Sequence, residues 1–282
     1  TFGQPPPLYP HGYYPADFRF DPADHDEGEK TFLGSTGNLD GVDIIDIIVE
    51  QPACAAFISR HLYNFFVADE PQVPTWNDLP PQDPELVGAM SEAFLDSGGE
   101  IRDVLRVMFN SDSFKNARFK KVKSPVELVV GVLKAVGEHD DFRFGLAKYA
   151  ESTTVLMGQK LLDPPTVEGW HTGKEWIDGG TLTERINFAT ARVSNPEMPG
   201  TRAIIDRLTG HGDPITPAEL VDGVLDLAGP IEVADETRTA LLQLAELDGD
   251  LNFGSSSDRM KSEDRIARML ALAVASREYQ FA

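Results

Sequence analysis

The chain is poor in cysteine, poor in positive charge and free of long apolar runs. A single cysteine, Cys54, excludes an internal disulfide. It lies among Ala53, Ala55, Ala56 and Phe57 on an expected helix, and reads as a small buried core residue rather than a nucleophile. Lysine and arginine total 25 against 46 aspartates and glutamates, a formal net charge of −21. Such a surface repels nucleic acid and anionic lipid. It favours basic partners, cations or simple solubility, and a high-salt habitat would leave the same composition. No apolar run approaches the ~18 residues that a bilayer span needs, so no membrane span is expected.

Standard catalytic signatures are missing too. There is no nucleotide-binding glycine fingerprint, P-loop or His-Glu-x-x-His, and no Gly-x-Ser-x-Gly elbow. Asp248-Gly249-Asp250-Leu251-Asn252 opens like a calcium loop, but Phe253 stands where glycine is needed and Arg259 where a bidentate glutamate is needed. It reads as an inter-helix turn. No metal site is assigned and no cofactor is expected.

What is present is a 282-residue chain, 41% hydrophobic, long enough for a sizeable core. It begins Thr1-Phe2-Gly3 and runs into Pro5-Pro6-Pro7, which suggests a processed or truncated product. Residues 1–40 read as an extended arm, with prolines forbidding a long helix and Tyr9, Tyr13, Tyr14, Phe18 and Phe20 available for burial. Helical periodicity then dominates. Ile44, Ile45 and Ile48 follow Asp40, and Pro52 opens a helix to about Val67 that places His61 on the apolar face with Phe57 and Phe65. Ser124-Pro125-Val126-Glu127 and Thr216-Pro217-Ala218-Glu219 are cap, proline and capping-box starts. Helices are expected over 144–160, 183–194, 235–247 and 262–276. The fold class is therefore all-α, an irregular multi-helix bundle with long Pro/Gly/Trp-rich loops. Its parts are the arm 1–40, a main body 41–194 and a C-terminal subdomain 195–282, with a seam at 195–214.

Two loops carry dense chemistry, and loops of that kind point to function better than cores do. The first is 25–34. His25 beside Asp26 suits acid–base work near neutral pH, and Lys30 suits an anion. Asp26, Glu27 and Glu29 could instead take a hard cation, or the loop could simply tie itself down through hydrogen bonds. The second loop, within 163–183, holds Trp170, His171 and Trp176 among glycines. Indoles on such a segment form a flat platform for sugars, aromatics or peptides, or else plug helix ends. Arg185 and Asn187 lie just downstream, within reach. Lys123, facing a common cavity with Lys30, would complete an anion clamp.

The same stretches carry a family resemblance. His25-Asp26-x-Gly28-x-Lys30-x-Phe32-Leu33-Gly34, Gln51-Pro52-Ala53, Phe65-Phe66-Val67 and Lys123-Ser124-Pro125-x-Glu127 occur in order. They are followed by Gly158-Gln159, Pro164-Pro165, Gly169-Trp170-x-x-Gly173-x-x-Trp176, Arg185-x-Asn187 and Glu278-Tyr279-Gln280. This series resembles the bacterial domain of unknown function 1800 family. The resemblance implies a largely helical protein, export to the periplasm or cell exterior, and longer relatives of which this chain matches the C-terminal part. It implies two partners: the missing N-terminal part of its own precursor, and a sulfatase-like protein encoded nearby. It brings no established activity. The expected function is a binding or assembly module of an extracytoplasmic complex. The alternative is a hydrolase-like enzyme acting on an anionic or sugar-like substrate, with His25 as acid/base, Asp26 as orienter, and Lys30 and Lys123 as clamp.

Overall fold

Short polar caps and prolines set most of the helix starts. A computed structural model describes residues 20–140, 143–210, 214–229 and 231–282. The tyrosines of the arm and Phe18 lie outside these residues. Asp40 and Asp43 close a capping box on α1 (Gly41–Val49), and Pro52 takes the first turn of α2 (Pro52–Phe66). The Asp83 side chain caps α3 (Pro84–Asp96), which α4 (Ile101–Asn110) and the single turn α5 (Asp112–Lys115) follow. Both expected boxes form, Ser124 with Glu127 on α6 (Pro125–Ala135) and Thr216 with Glu219 on α10 (Pro217–Leu227). The remaining helices are α7 (Phe144–Leu156), α8 (Gly179–Val193), α9 (Pro199–Thr209), α11 (Asp235–Glu246) and α12 (Ser256–Ala275). The protein is mostly α.

Five features depart from the sequence reading. A small antiparallel hairpin, β1 (Lys30–Phe32) with β2 (Ser35–Gly37), sits inside the first loop. Its two-residue turn has positive φ at Leu33 and Gly34, the geometry that matches strand twist. Three-residue strands are too short to show alternation in a sequence. Helix α7 stops at Leu156 because Gly158, at φ 95°, turns the chain out of the helix. Helix α8 begins at Gly179, four residues early, because Asp178 caps it through the amides of Gly180 and Thr181. Helix α12 begins at Ser256 for the same reason, with Ser255 as cap. The expected seam at 195–214 holds helix α9.

Two apolar cores result. The smaller joins α2, α3 and α4 through Ala55, Tyr63, Met90, Phe94, Val104 and Met108. Cys54 packs at its edge, half-buried rather than buried. The larger joins α6 through α12, with Leu128, Met157, Phe188, Ile205, Leu220 and Ile266 among its members. Helix α9 meets the end of α6 without a side chain between them: the Gly200 amide donates to the Val136 carbonyl at 2.9 Å, and a Cβ on Gly200 would collide with the Ala135 carbonyl. The chain end returns to the start of α6, where Val122 pairs with Phe281 and the Lys123 amide donates to the Gln280 carbonyl at 2.8 Å.

Among the described residues no helix is long and apolar enough to cross a membrane. The Asp248–Asn252 turn offers its carbonyls to a side chain of the protein itself. The Arg265 guanidinium donates to Gly249 at 2.7 Å, to Ala245 at 3.2 Å, and to Asp248 and Asp250 at 3.3 Å. The same guanidinium lies 3.6 Å from the Asp248 carboxylate, so this turn is organised around a cation of the protein itself.

Candidate functional site

The first loop closes on itself. The Lys30 ammonium donates to the Asp26 carbonyl, to the Gly28 carbonyl at 3.2 Å and to Asn38 Oδ1 at 3.2 Å. Those three bonds use all its donors. Asp26 Oδ1 accepts the Gly28 amide at 2.8 Å, and Asn38 donates to Glu27 at 2.6 Å. That bond, with the lesser help of His25, holds the Glu27 carboxyl below its usual range. His25 Nε2 lies 3.3 Å from the Leu39 carbonyl, and its Nδ1 lies 3.5 Å from Glu27. Among the described residues, no three His, Cys, Asp or Glu side chains are placed to hold a metal ion. Hydrogen bonds therefore brace His25, Asp26 and Lys30 into the hairpin, and none of those bonds reaches Lys123.

Lys123 meets Arg185 instead, which sequence alone placed with the tryptophan loop. Arg185 is fully buried in α8. Its Nε donates to Gln280 Oε1 at 2.8 Å and one terminal nitrogen donates to the Lys123 carbonyl at 2.7 Å. The other terminal nitrogen, and Gln280 Nε2, are buried without a partner among the described residues. Lys123 Nζ donates to the Tyr279 carbonyl at 2.8 Å and sits 4.2 Å above the Tyr279 ring. Burial pushes the Arg185 guanidinium down to about 10, so it stays charged at neutral pH. Burial first, and the Arg185 charge second, push Lys123 down to about 8. The family motifs Lys123-Ser124, Arg185-x-Asn187 and Glu278-Tyr279-Gln280 thus meet in one buried node. Asn187 faces outward, exposed.

Lys123 gives the node a pH dependence of definite sign. Between pH 8 and 10.5 the unfolded chain holds a lysine proton that the folded chain has lost. The Lys123 contribution to stability therefore rises with pH across that window. Relative to Lys123→Met, the wild-type urea midpoint is expected to climb from pH 7.5 to 10.5. A difference that stays flat would show that Lys123 titrates normally.

The second loop builds a cleft. Trp170, His171, Thr166 and Glu168 form one wall, and His61, Asn64 and the segment 71–74 form the other, around about 210 Å³. Trp170 is half-buried and donates from Nε1 to the Lys160 carbonyl at 3.1 Å. His171 is exposed and pairs with Glu175 at 2.6 Å. Trp176 faces the other way. It is buried, with its ring against Gly158, and fills core rather than cleft. The loop is pinned where Gly173, at φ 62°, lies so close to Asp69 that a Cβ would overlap its side chain. Asp69 in turn accepts the Val122 amide at 2.8 Å.

The opposite wall depends on residues that no local pattern announces. Arg60 on α2 is buried and donates to Glu70 at 2.6 and 2.9 Å. It also donates to the carbonyls of Trp76, Leu79 and Pro80, so the proline-rich loop wraps around one guanidinium. The Trp76 ring lies 4.6 Å from that guanidinium and 4.6 Å from His61, whose ring also meets Phe57 edge-on. His61 is half-buried, its ring nitrogens make no hydrogen bond among the described residues, and burial lowers its pKa. It presents a neutral imidazole to the cleft.

Comparison with curated proteins and with solved structures returns no match. A family model does match, described as "Protein of unknown function (DUF1800)", over residues 11–281. Nearly the whole length is covered, and the protein belongs to this bacterial family of unknown function.

Proposed function

We propose that this protein is a binding module, and that the loop 160–170 beside the cleft is where it grips another protein. One observation carries the reading. Leu162 stands in left-handed backbone, φ 63°, with its side chain 96% exposed. Left-handed backbone costs an ordinary residue about 1–2 kcal/mol, and here the strain holds an aliphatic chain out in water. Val167 is fully exposed on the same loop. The loop is nonetheless ordered by its own bonds: the Asp163 amide to Lys160, the Gly169 amide to Thr166, and the Trp170 indole to Lys160. A rigid loop with outward apolar anchors is preorganised for association. The family resemblance supports an extracytoplasmic setting, with the sulfatase-like neighbour or an N-terminal part of the precursor as partner.

Leu162→Asp with Val167→Asp is expected to weaken partner capture from the native host by at least about thirtyfold, the loss of a hot spot. Helix content and melting temperature should stay unchanged, since both side chains are exposed. Met260→Asp, on an exposed side chain of α12, serves as the control. Equal capture by the loop variant and the control would defeat the reading.

A second reading rests on His61. A neutral imidazole with free nitrogens in a cleft suits a general base. The corresponding function is a hydrolase-like enzyme acting on an anionic or sugar-like substrate. It separates from the first because His61→Gln would abolish turnover while leaving capture intact.

A further inference from the structure

A second groove, independent of the loop just described, lies where the chain end crosses α8 and α12. It holds about 580 Å³, inside the range of roughly 300–1,000 Å³ typical of small-molecule sites. Ile177, Leu182, Ile186, Ala275 and Phe281 line it, all half-buried, so each keeps apolar surface in water. The ionisable residues of its lining are Lys174 and Arg277, and no carboxylate joins them. That is unexpected on a chain of net charge −21. Neither cation forms an ion pair among the described residues. The nearby Glu278 carboxylate feels the Arg277 charge, but its hydrogen bonds go to the Ala234 amide and the Thr237 hydroxyl, both at 3.1 Å.

A buried group adds an independent sign of a missing ligand. Gln280 belongs to the groove wall and is 3% exposed, yet its Nε2 has no acceptor among the described residues. Its Oε1 is fixed by Arg185, so the amide cannot turn to hide that donor. Buried donors left unpaired are costly, and an acceptor reaching Gln280 from the groove would relieve the amide donor. Apolar walls, a rim of two cations without a carboxylate in the lining, and an unsatisfied amide donor together describe one chemical class.

We propose that this groove binds an anionic amphiphile: an aliphatic chain along Ile177, Leu182 and Ile186, ending in an acidic head between Gln280, Lys174 and Arg277. The chain supplies apolar burial, and the head supplies an acceptor and a charge that the rim complements.

Calorimetric titration of the intact protein with decanoate and decyltrimethylammonium below their micellar concentrations, and with decanol below its solubility limit, tests this. Decanoate should bind saturably at one site. Decanol should bind about tenfold more weakly, as loss of contacts to two partly exposed charges implies, and the cationic analogue more weakly still. Lys174→Ala with Arg277→Ala should bring decanoate down to the affinity of decanol. Leu182→Glu, which sets a carboxylate in the apolar wall, should abolish decanoate binding, and Ile186→Gln gives a milder version if that variant melts early. Absence of saturable binding, equal affinity for all three probes, or decanoate binding indifferent to the wall variants would each overturn the proposal. So would binding of an acidic apolar peptide, but not decanoate, at these residues.

Discussion

Glu70→Ala should lower the unfolding free energy by about 3–5 kcal/mol, the usual cost of leaving one member of a buried ion pair uncompensated. Both partners are almost fully buried, Arg60 at 5% exposure and Glu70 at 4%. The carboxylate receives two guanidinium bonds and the Gln82 amide at 2.8 Å, while the Glu70 amide donates to Asn64. The Arg60 and Asn64 bonds tie the segment 70–82 to α2, and the Gln82 bond closes that segment on itself. Loss should thus be read twice: as a lower urea midpoint, and as faster amide exchange across residues 70–82. Because 71–74 form one wall of the cleft, any ligand of that cleft should weaken in parallel. Arg60→Met with Glu70→Leu removes both charges and should cost clearly less than Glu70→Ala, since no charge is stranded. A single variant as stable as wild type would mean that water reaches Arg60.

That ion pair marks the boundary of what the sequence could tell. Helix starts with local grammar were legible: Ser124 and Thr216 each need only the next three residues to form a box. Asp178 and Ser255 obey the same grammar, but glycines and polar residues follow them instead of an apolar run, so periodicity concealed both starts. The tryptophan loop was legible from composition. Which indole faced solvent was not, because that depends on Gly158 and Gly173 and on what packs there. Arg60 finds Glu70 through a loop whose conformation it helps to create, and Lys123 finds Arg185 across 62 positions of chain. Such pairings leave no spacing to read. The two lysines assigned to a clamp illustrate the converse. Lys30 is a lone cation among acids and Lys123 ends the basic run from Arg118, yet the ammonium groups are taken up by carbonyls of Asp26 and Gly28 and of Tyr279.

Ending the chain at Arg277 should cost more than about 5 kcal/mol, combining a lost buried aromatic with stranded buried charge. Tyr279 is 7% exposed and packs in the larger core, and Gln280 holds Arg185 in place. Without them Arg185 keeps only the Lys123 carbonyl, and Lys123 loses the Tyr279 carbonyl and ring. Two like charges would then face each other with fewer acceptors than before. Urea unfolding should show a much lower midpoint, and near-ultraviolet dichroism a loosened core around α6, α8 and α12. Removing only Phe281 and Ala282 isolates the strand-like pairing from the node. That change gives up the Val122 bridge and a half-buried ring, and should cost about 1–2 kcal/mol. If the two truncations proved equally mild, the acceptors at Tyr279 and Gln280 would not be what keeps the buried cations in place. If they differ as expected, one short segment both supplies acceptors to the buried cations and forms a wall of the amphiphile groove. Ligand binding and global stability should then be coupled through Gln280.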